Sequence, residues 1–351
     1  MSIINDLTAE RPVEADAHAV LLPTVHTPRV DGWLESFLAR GGRGVFLACS
    51  AEEYAARRIG PGRRRSETSA DVEAFTAAVR ESAGAEVVVA VDAESGGVQR
   101  LEHLCPPLPT AAAASTMSDD ELDAAFTAHA AAATRLGVTM FLGPVVDTLS
   151  GANTWLDGRV MVDDHARTAS VGLRYVAAAQ RAGVIATVKH FPGHPRLIGD
   201  PVHERVALTI DQDEVLHHLR PFRTLVDGGA AAVMLGPVTV TAIDPESPAA
   251  TSRVVVDLLR DELGFSGLVV SDDLSAESTM LGRGIAGVAV AAVAAGVQLM
   301  LVPGGSAVAD VADGIAEGVR SGRLPRSQLA RAADAVRRTT TLFAHGAALP
   351  G

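Results

Sequence analysis

The feature that most limits the fold is a rhythm of eight short apolar runs, each ending in turn or charged residues. They are AVLLP (19 to 23), GVFLA (44 to 48), EVVVAVD (86 to 92), VTMFLGP (138 to 144), VIATVKH (184 to 190), AAVMLGP (231 to 237), GLVVSDD (267 to 273) and VQLMLVP (297 to 303). Longer stretches with helical periodicity separate them, and this alternation marks a parallel α/β fold. Eight strands with helices between them predict a closed (β/α)8 barrel. The 351 residues could also make two ordinary domains, but no repeat or low-complexity linker divides them. A single domain over residues 1 to 351 is therefore expected.

The intervening segments carry helix ends. TSADVEAFTAAV and MSDDELDAAFTAHAAAA open on Ser or Thr followed by acidic residues, which suits a helix N-terminus. Gly264 follows the apolar periodicity of VVVDLLRDEL as a C-terminal cap would. The last stretch, VRSGRLPRSQLARAADAVRR, is amphipathic and should close over the barrel. One segment exceeds a minimal barrel: SAEEYAARRIGPGRRRSETS gathers Arg57, Arg58, Arg63, Arg64 and Arg65 after the second run. It reads as a solvated loop, on the face where an anionic substrate group would also arrive.

Charge and cysteine content exclude several classes. A net charge of −12 argues against a nucleic-acid footprint. Cys49 and Cys105 give neither a disulfide framework nor a metal-ligand spacing, so no metal or cofactor is expected. The opening MSIINDLTAERPVEADAH reaches acidic residues before any long apolar run, unlike a signal peptide or a lipoprotein anchor. With no later stretch of eighteen uninterrupted apolar residues, the expectation is a cytoplasmic protein away from membranes.

Active sites of such barrels sit at the C-terminal ends of the strands. Here those ends hold Asp92, Asp147, Lys189, His190, Asp272 and Asp273, with Arg100 and Arg159 in the loops after the third and fourth runs. Groups of this kind are costly to desolvate unless they pair with each other or with a polar ligand. Lys189 is the only lysine, so 29 of the 30 basic side chains are Arg, and its ammonium suits a site where a guanidinium fork would not fit. Asp92, Lys189 and Arg159 offer donors and acceptors for several hydroxyls at once, as a sugar ring requires, and Asp272 remains as a nucleophile. Two Trp and two Tyr are too few for a long stacking groove, although Trp155 lies where it would border the site.

Three motifs, VDAESGGVQR, KHFPGH and ELGFSGLVVSDDLS, resemble the bacterial exo-β-N-acetylglucosaminidases of glycoside hydrolase family 3, whose patterns read DQEGGxVxR and GFxGxxxSDDLS. The resemblance implies that Asp92, Arg100, Arg159, Lys189 and His190 hold a terminal N-acetylglucosamine and that Asp272 is the nucleophile. Arg159 rests on LDGRVM, a looser match to the family's IGDRxF stretch.

The family's acid/base is a histidine paired with an aspartate in KHFPGHGDxxxDSH, 13 and 11 residues after the lysine. This chain reads KHFPGHPRLIGDPVHERVAL, with Asp200 11 and His203 14 residues after Lys189, and Pro195 and Arg196 in place of Gly and Asp. A loop longer by one residue makes His203 the acid/base oriented by Asp200; the other register puts Arg205 there, which cannot donate a proton near neutral pH. Gly236 and Pro237 replace the family's Ala-His after the sixth run.

The leading expectation is a retaining β-N-acetylglucosaminidase acting on small cytoplasmic carbohydrates such as muropeptides. The alternatives are a phosphorylase or inactive sugar binder built on the altered loop, and an aldolase-like barrel with a Schiff base on Lys189. A metal-dependent hydrolase fits less well, because VHTP after the first run offers a single histidine, His26.

Overall fold

The computed structural model describes residues 11 to 345, so the opening MSIINDLTAE lies outside the described residues. All eight apolar runs form strands: β1 (Leu21–Val25), β2 (Gly44–Leu47), β3 (Val88–Asp92), β4 (Met140–Leu142), β5 (Ile185–Phe191), β6 (Ala232–Leu235), β7 (Leu268–Ser271) and β8 (Met300–Val302). They pair in parallel in the order β8-β1-β2-β3-β4-β5-β6-β7. The ring closes where Val270 bridges Leu299 and the Ser271 N–H donates to the Leu299 carbonyl at 3.0 Å. The chain is an α/β protein built on an eight-stranded parallel barrel.

Alternation along the strands sorts side chains to two faces. Leu22, Phe46, Val88, Ala90, Met140, Leu142, Ile185, Met234, Leu268 and Val270 fill the interior. Val336 and Phe343 of the helix Arg326–Ala344 pack into the same cluster, as the amphipathic last segment predicts. The opposite parity, including Val45, Val89, Val91, Val233 and Val269, packs outward against the helices. Continuing the inward parity by two residues puts Asp92 after Ala90, Lys189 after Thr187 and Asp272 after Val270. An apolar barrel interior thus changes to charged groups at its C-terminal rim.

Thr68 and Ser118 each cap a helix through a reciprocal box, with Asp71 and Glu121, at Ser69–Ala83 and Asp119–Arg135. Gly264 takes a left-handed φ of 69° just past the π-helical turn Leu258–Glu262, where the periodicity ends. The arginine-rich segment departs from the solvated loop expected of it. It forms two short helices, Ala51–Ala56 and Pro61–Ser66, because Arg63 pairs with Glu53 and Glu67 while Arg64 pairs with Glu102. No helix among the described residues is long and apolar enough to cross a membrane.

Candidate active site

Asp92, at the end of β3, and Lys189, near the end of β5, meet at the rim of the barrel with Nζ to Oδ1 at 3.3 Å. The ammonium lies closer to Glu94, at 2.7 Å. Glu94 also receives Arg159, whose Nη2 and Nε donate to its two oxygens at 2.7 and 3.0 Å. All four side chains are buried. Burial raises a carboxyl's pKa, but Arg159 and Lys189 outweigh it at Glu94 and hold that group well below the usual carboxylate range. At Asp92 burial wins over the more distant Lys189 and pushes the pKa up. Burial also opposes the Lys189 ammonium, yet Glu94 and Asp92 more than offset it and raise its pKa. A lysine held protonated in this way is unsuited to forming a Schiff base, which needs a free amine.

Glu94 is the residue that sequence reasoning missed. Two cations beside a single assigned carboxylate, Asp92, were the signal that another acid had to be near. Its local fold accounts for the two glycines of ESGGV. The Glu94 N–H donates to the Val98 carbonyl at 2.9 Å, and a Cβ on Gly97 would fall 2.1 Å from Glu94 Oε2. Gly96 takes a φ of 90° in the same turn.

Asp147 organises the next layer. Its Oδ2 accepts the His190 N–H at 2.8 Å and lies 2.9 Å from His190 Nδ1, and its Oδ1 accepts the His194 N–H at 2.8 Å and lies 3.1 Å from His194 Nδ1. These bonds overcome burial and keep Asp147 ionised far below the ordinary range. Burial lowers the His190 pKa against the pull of Asp147, which favours the neutral ring, and Nε2 lies 3.3 Å from Arg159 Nη2. Lys189 and His190 are neighbours yet both face the site, where the peptide between them is cis and the β5–β6 register shifts between Val188 and Phe191. Trp155 packs behind, 4.6 Å from the His190 ring and 5.3 Å from the Arg159 guanidinium. His194 braces the loop, and its ring fills the space where a Cβ on Gly236 would fall 2.2 Å from Cε1, so glycine at 236 is required.

Arg100 takes a supporting position. Fully buried, it donates from Nη1 and Nη2 to Glu67 at 2.6 and 2.7 Å and from Nε to the Ala48 carbonyl at 3.0 Å. This ties the loop after β3 to the one after β2, while Glu94 takes the position facing Arg159 and Lys189. Arg159 is held by more than Glu94: Tyr54 lies over its guanidinium at 5.5 Å, and its Nη1 is buried without a partner among the described residues. An unpaired buried donor is suited to a ligand oxygen.

Asp272 and Asp273 differ in what they do. Asp273 Oδ1 accepts the Ser275 N–H at 2.8 Å and the Ser275 hydroxyl at 2.7 Å, closing a turn, and burial raises its pKa. Asp272 extends the ladder through its N–H to Leu235 at 3.0 Å, and its Oδ1 accepts the Asp273 N–H at 2.8 Å. It keeps the inward parity and lies partly open at the rim.

In the loop after β5 the His203 N–H donates to the Asp200 carbonyl at 3.0 Å, but the two side chains do not pair. Asp200 Oδ1 accepts the Val202 N–H at 3.0 Å in a turn, and the His203 side chain is exposed with no hydrogen bond among the described residues. Arg205, the alternative in the other register, pairs with Glu277 and is also exposed. The segment before the turn and the backbone of the turn itself are both tied down. Ser150 donates to the Pro195 carbonyl at 3.0 Å and Thr154 to Leu197 at 2.9 Å, while Glu277 and Ser278 donate to Val202 and Pro201 at 3.1 Å each.

A (β/α)8 barrel with a buried, mutually neutralised charge cluster under a rim carboxylate defines a site for a small polar ligand, of the kind glycosidases use. Over residues 61–342 the sequence matches the family described as the glycosyl hydrolase family 3 N terminal domain. The chain belongs to glycosyl hydrolase family 3, and is a glycoside hydrolase. A β-hexosaminidase of Xanthomonas campestris pv. campestris (strain B100) is 34% identical over 248 residues, covering 68% of this chain and 75% of that protein. A glycoside hydrolase family 3 β-N-acetylglucosaminidase from Paenibacillus sp. str. FPU-7 superposes with a TM-score of 0.86 at 25% identity, over 97% of this chain and 64% of the other. This chain therefore spans just under two thirds of the Paenibacillus chain. A β-N-acetylhexosaminidase from Beutenbergia cavernae DSM 12333 gives a TM-score of 0.80 at 28% identity, covering 95% and 98% of the two chains.

Proposed function

We propose that this chain is a retaining β-N-acetylhexosaminidase that removes terminal β-linked N-acetylglucosamine from small cytoplasmic substrates such as muropeptide fragments, without metal or cofactor. The observation that carries the reading is the buried cluster of Asp92, Glu94, Lys189, Arg159 and neutral His190 beneath Asp272. Asp92, Lys189, His190 and the unpaired Nη1 of Arg159 supply acceptors and donors for ring hydroxyls and an acetamido group. Arg100 holds the wall behind them. The activities named for the Xanthomonas and Beutenbergia proteins support the same reading.

In the first step an Asp272 oxygen forms a bond to the anomeric carbon as the bond to the leaving oxygen breaks, and His203 gives that oxygen its proton. Water then attacks the anomeric carbon, His203 takes a proton from it, and Asp272 leaves with its electron pair. Because the His203 side chain is exposed and unpaired with the Asp200 carboxylate, it has to swing over the bound sugar before proton transfer. A histidine base carries no negative charge, so phosphate is the alternative acceptor to water.

The test is turnover of an aryl β-N-acetylglucosaminide beside the matching β-glucoside, each with and without phosphate. Preference for the acetamido sugar with free sugar as product supports the proposal. A sugar 1-phosphate product would replace hydrolysis with phosphorolysis, and inactivity toward both would favour a sugar-binding role.

A further inference from the structure

The end of the barrel opposite the rim carries a cleft that the glycosidase reading leaves unused. Its volume is about 340 Å³, within the ~300–1,000 Å³ range of small-molecule sites. Gln298, just ahead of β8, lines it, and because the strands are parallel the cleft lies at their N-terminal ends. One wall is a helical face formed by the helix Arg253–Asp257 and the π-helical turn Leu258–Glu262, and the other is the helix Arg326–Ala344 that closes the barrel.

Two cations in this cleft lack a carboxylate. Arg260 Nη1 donates to the Phe265 and Gly267 carbonyls at 2.8 Å each, and Nη2 donates to Gln298 Oε1 at 2.9 Å. All three partners are neutral, and burial lowers the Arg260 pKa. By contrast, buried Arg100 and Arg159 each meet a glutamate. Arg331, from the facing helix, is exposed and has no side-chain hydrogen bond or ion pair among the described residues. Such cations stand out in a chain where Asp and Glu outnumber Lys and Arg by 42 to 30. Of the two acids in the cleft, Asp257 is taken by Arg253 at 2.7 Å, whereas the Asp261 side chain has no partner among the described residues.

We propose that this cleft binds the phosphate monoester of a small polyol, a sugar phosphate in the simplest case, with its phosphate held between Arg260 and Arg331. One free guanidinium would suit a carboxylate equally well, but two on facing walls match a group that carries close to two negative charges. The hydroxyls have acceptors beside it. Asp261 is one, and Gln328 Oε1 is another, since the amide nitrogen of Gln328 is spent on the Val293 and Ala294 carbonyls at 2.9 and 3.1 Å. The site is separate from Asp272 and does not depend on the glycosidase reading. A ligand spanning the two walls would join the helix before β7 to the helix that closes the barrel, so its binding should stabilise the fold.

The experiment is calorimetric titration of the full chain with glucose 6-phosphate, glucose, inorganic phosphate and glucuronate, in the wild type, Arg331→Gln, Arg181→Gln and Asp272→Asn. Arg331→Gln alters an exposed side chain without a partner, so its thermal unfolding without ligand should match the wild type. The wild type should bind glucose 6-phosphate saturably and more tightly than the other three, and the ester should raise its Tm. Arg331→Gln should weaken that binding by roughly tenfold or more, the size of one hydrogen bond to a charged group. Arg181→Gln, at the exposed end of the helix His165–Arg181, and Asp272→Asn, at the rim, should leave it unchanged. No saturable binding of the ester, equal binding by Arg331→Gln, or loss of binding in Asp272→Asn would overturn the site. Glucuronate or inorganic phosphate binding as tightly as the ester would overturn its assignment to a phosphorylated polyol.

Discussion

The floor of the site and the turn after β5 are built on opposite terms. In the floor, Glu94 holds Lys189 and Arg159 while Asp147 holds His190 and His194, all with little or no access to solvent. At the turn, Asp200 and His203 are in reach of water, and the polar contact of the Asp200 side chain is with its own backbone neighbour Val202. The difference teaches where preorganisation is required. A sugar ring has to find its partners already in place, since each buried charge left unpaired costs several kcal/mol. A general acid acts only once the leaving group has arrived, and an exposed side chain on a turn whose backbone is held at Pro201 and Val202 can reach it by changing rotamer. The helix Gln212–His218 touches both regions, through Glu214 to Arg196 in the loop and through His218 to Thr148 beside Asp147.

Altering the exposed turn should leave the floor intact. His203→Ala is expected to slow substrates with poor leaving groups by ~10²–10⁴-fold while activated aryl glycosides suffer far less. Asp200→Asn should show a smaller loss of the same kind. Comparable slowing of both substrate types by His203→Ala would move the acid/base role elsewhere. Breaking the floor should read out first as stability. Glu94→Gln takes away the carboxylate shared by Lys189 and Arg159, and should lower unfolding free energy by ~3–5 kcal/mol in denaturant titration. A loss below about 1 kcal/mol, the size of an exposed pair, would mean the floor is not the tight unit described.

The strut between the regions gives a pH signature. Burial, with His165 and His217 beside it, lowers His218 to about 4. The unfolded chain binds that proton at a pH near 6.5, well before the folded chain does, so stability should fall as pH drops from about 6.5 toward 4. Thermal unfolding across that range should show a shallower decline in His218→Gln. Buried His129 and His190 are shifted in the same direction and leave a residual slope. An unchanged pH dependence would remove His218 as a contributor. The smallest effect belongs to the exposed pair of Arg196 and Glu214: Arg196→Ala should cost ~0.2–1 kcal/mol. A larger change would show that the loop depends on this clamp more than on its backbone bonds to 150 to 154.

The comparison also separates what the sequence could and could not disclose. Strand positions were legible because apolar runs and their parity are local, and parity carries Asp92, Lys189 and Asp272 to the rim. His190 breaks that parity at the point where the β5–β6 pairing shifts register and the Lys189–His190 peptide is cis, neither of which spacing shows. Glu94 was hidden within a glycine-rich turn. Arg100 was visible as a residue, but its partner Glu67 lies 33 positions away beyond a turn, so its supporting position was not. The course of the loop after β5 depends on Thr154, Glu277 and Ser278, far apart in sequence, and spacing alone could not show Asp200 turned onto Val202.

The most direct test of the account is covalent trapping. A slow 2-fluoro glycosyl donor should accumulate as a glycosyl-enzyme, and peptide mapping should find the sugar on Asp272, the inward-facing member of the pair. Asp273, engaged with Ser275, should carry none. Label on Asp273, or no label despite turnover of the donor, would contradict a retaining mechanism through Asp272.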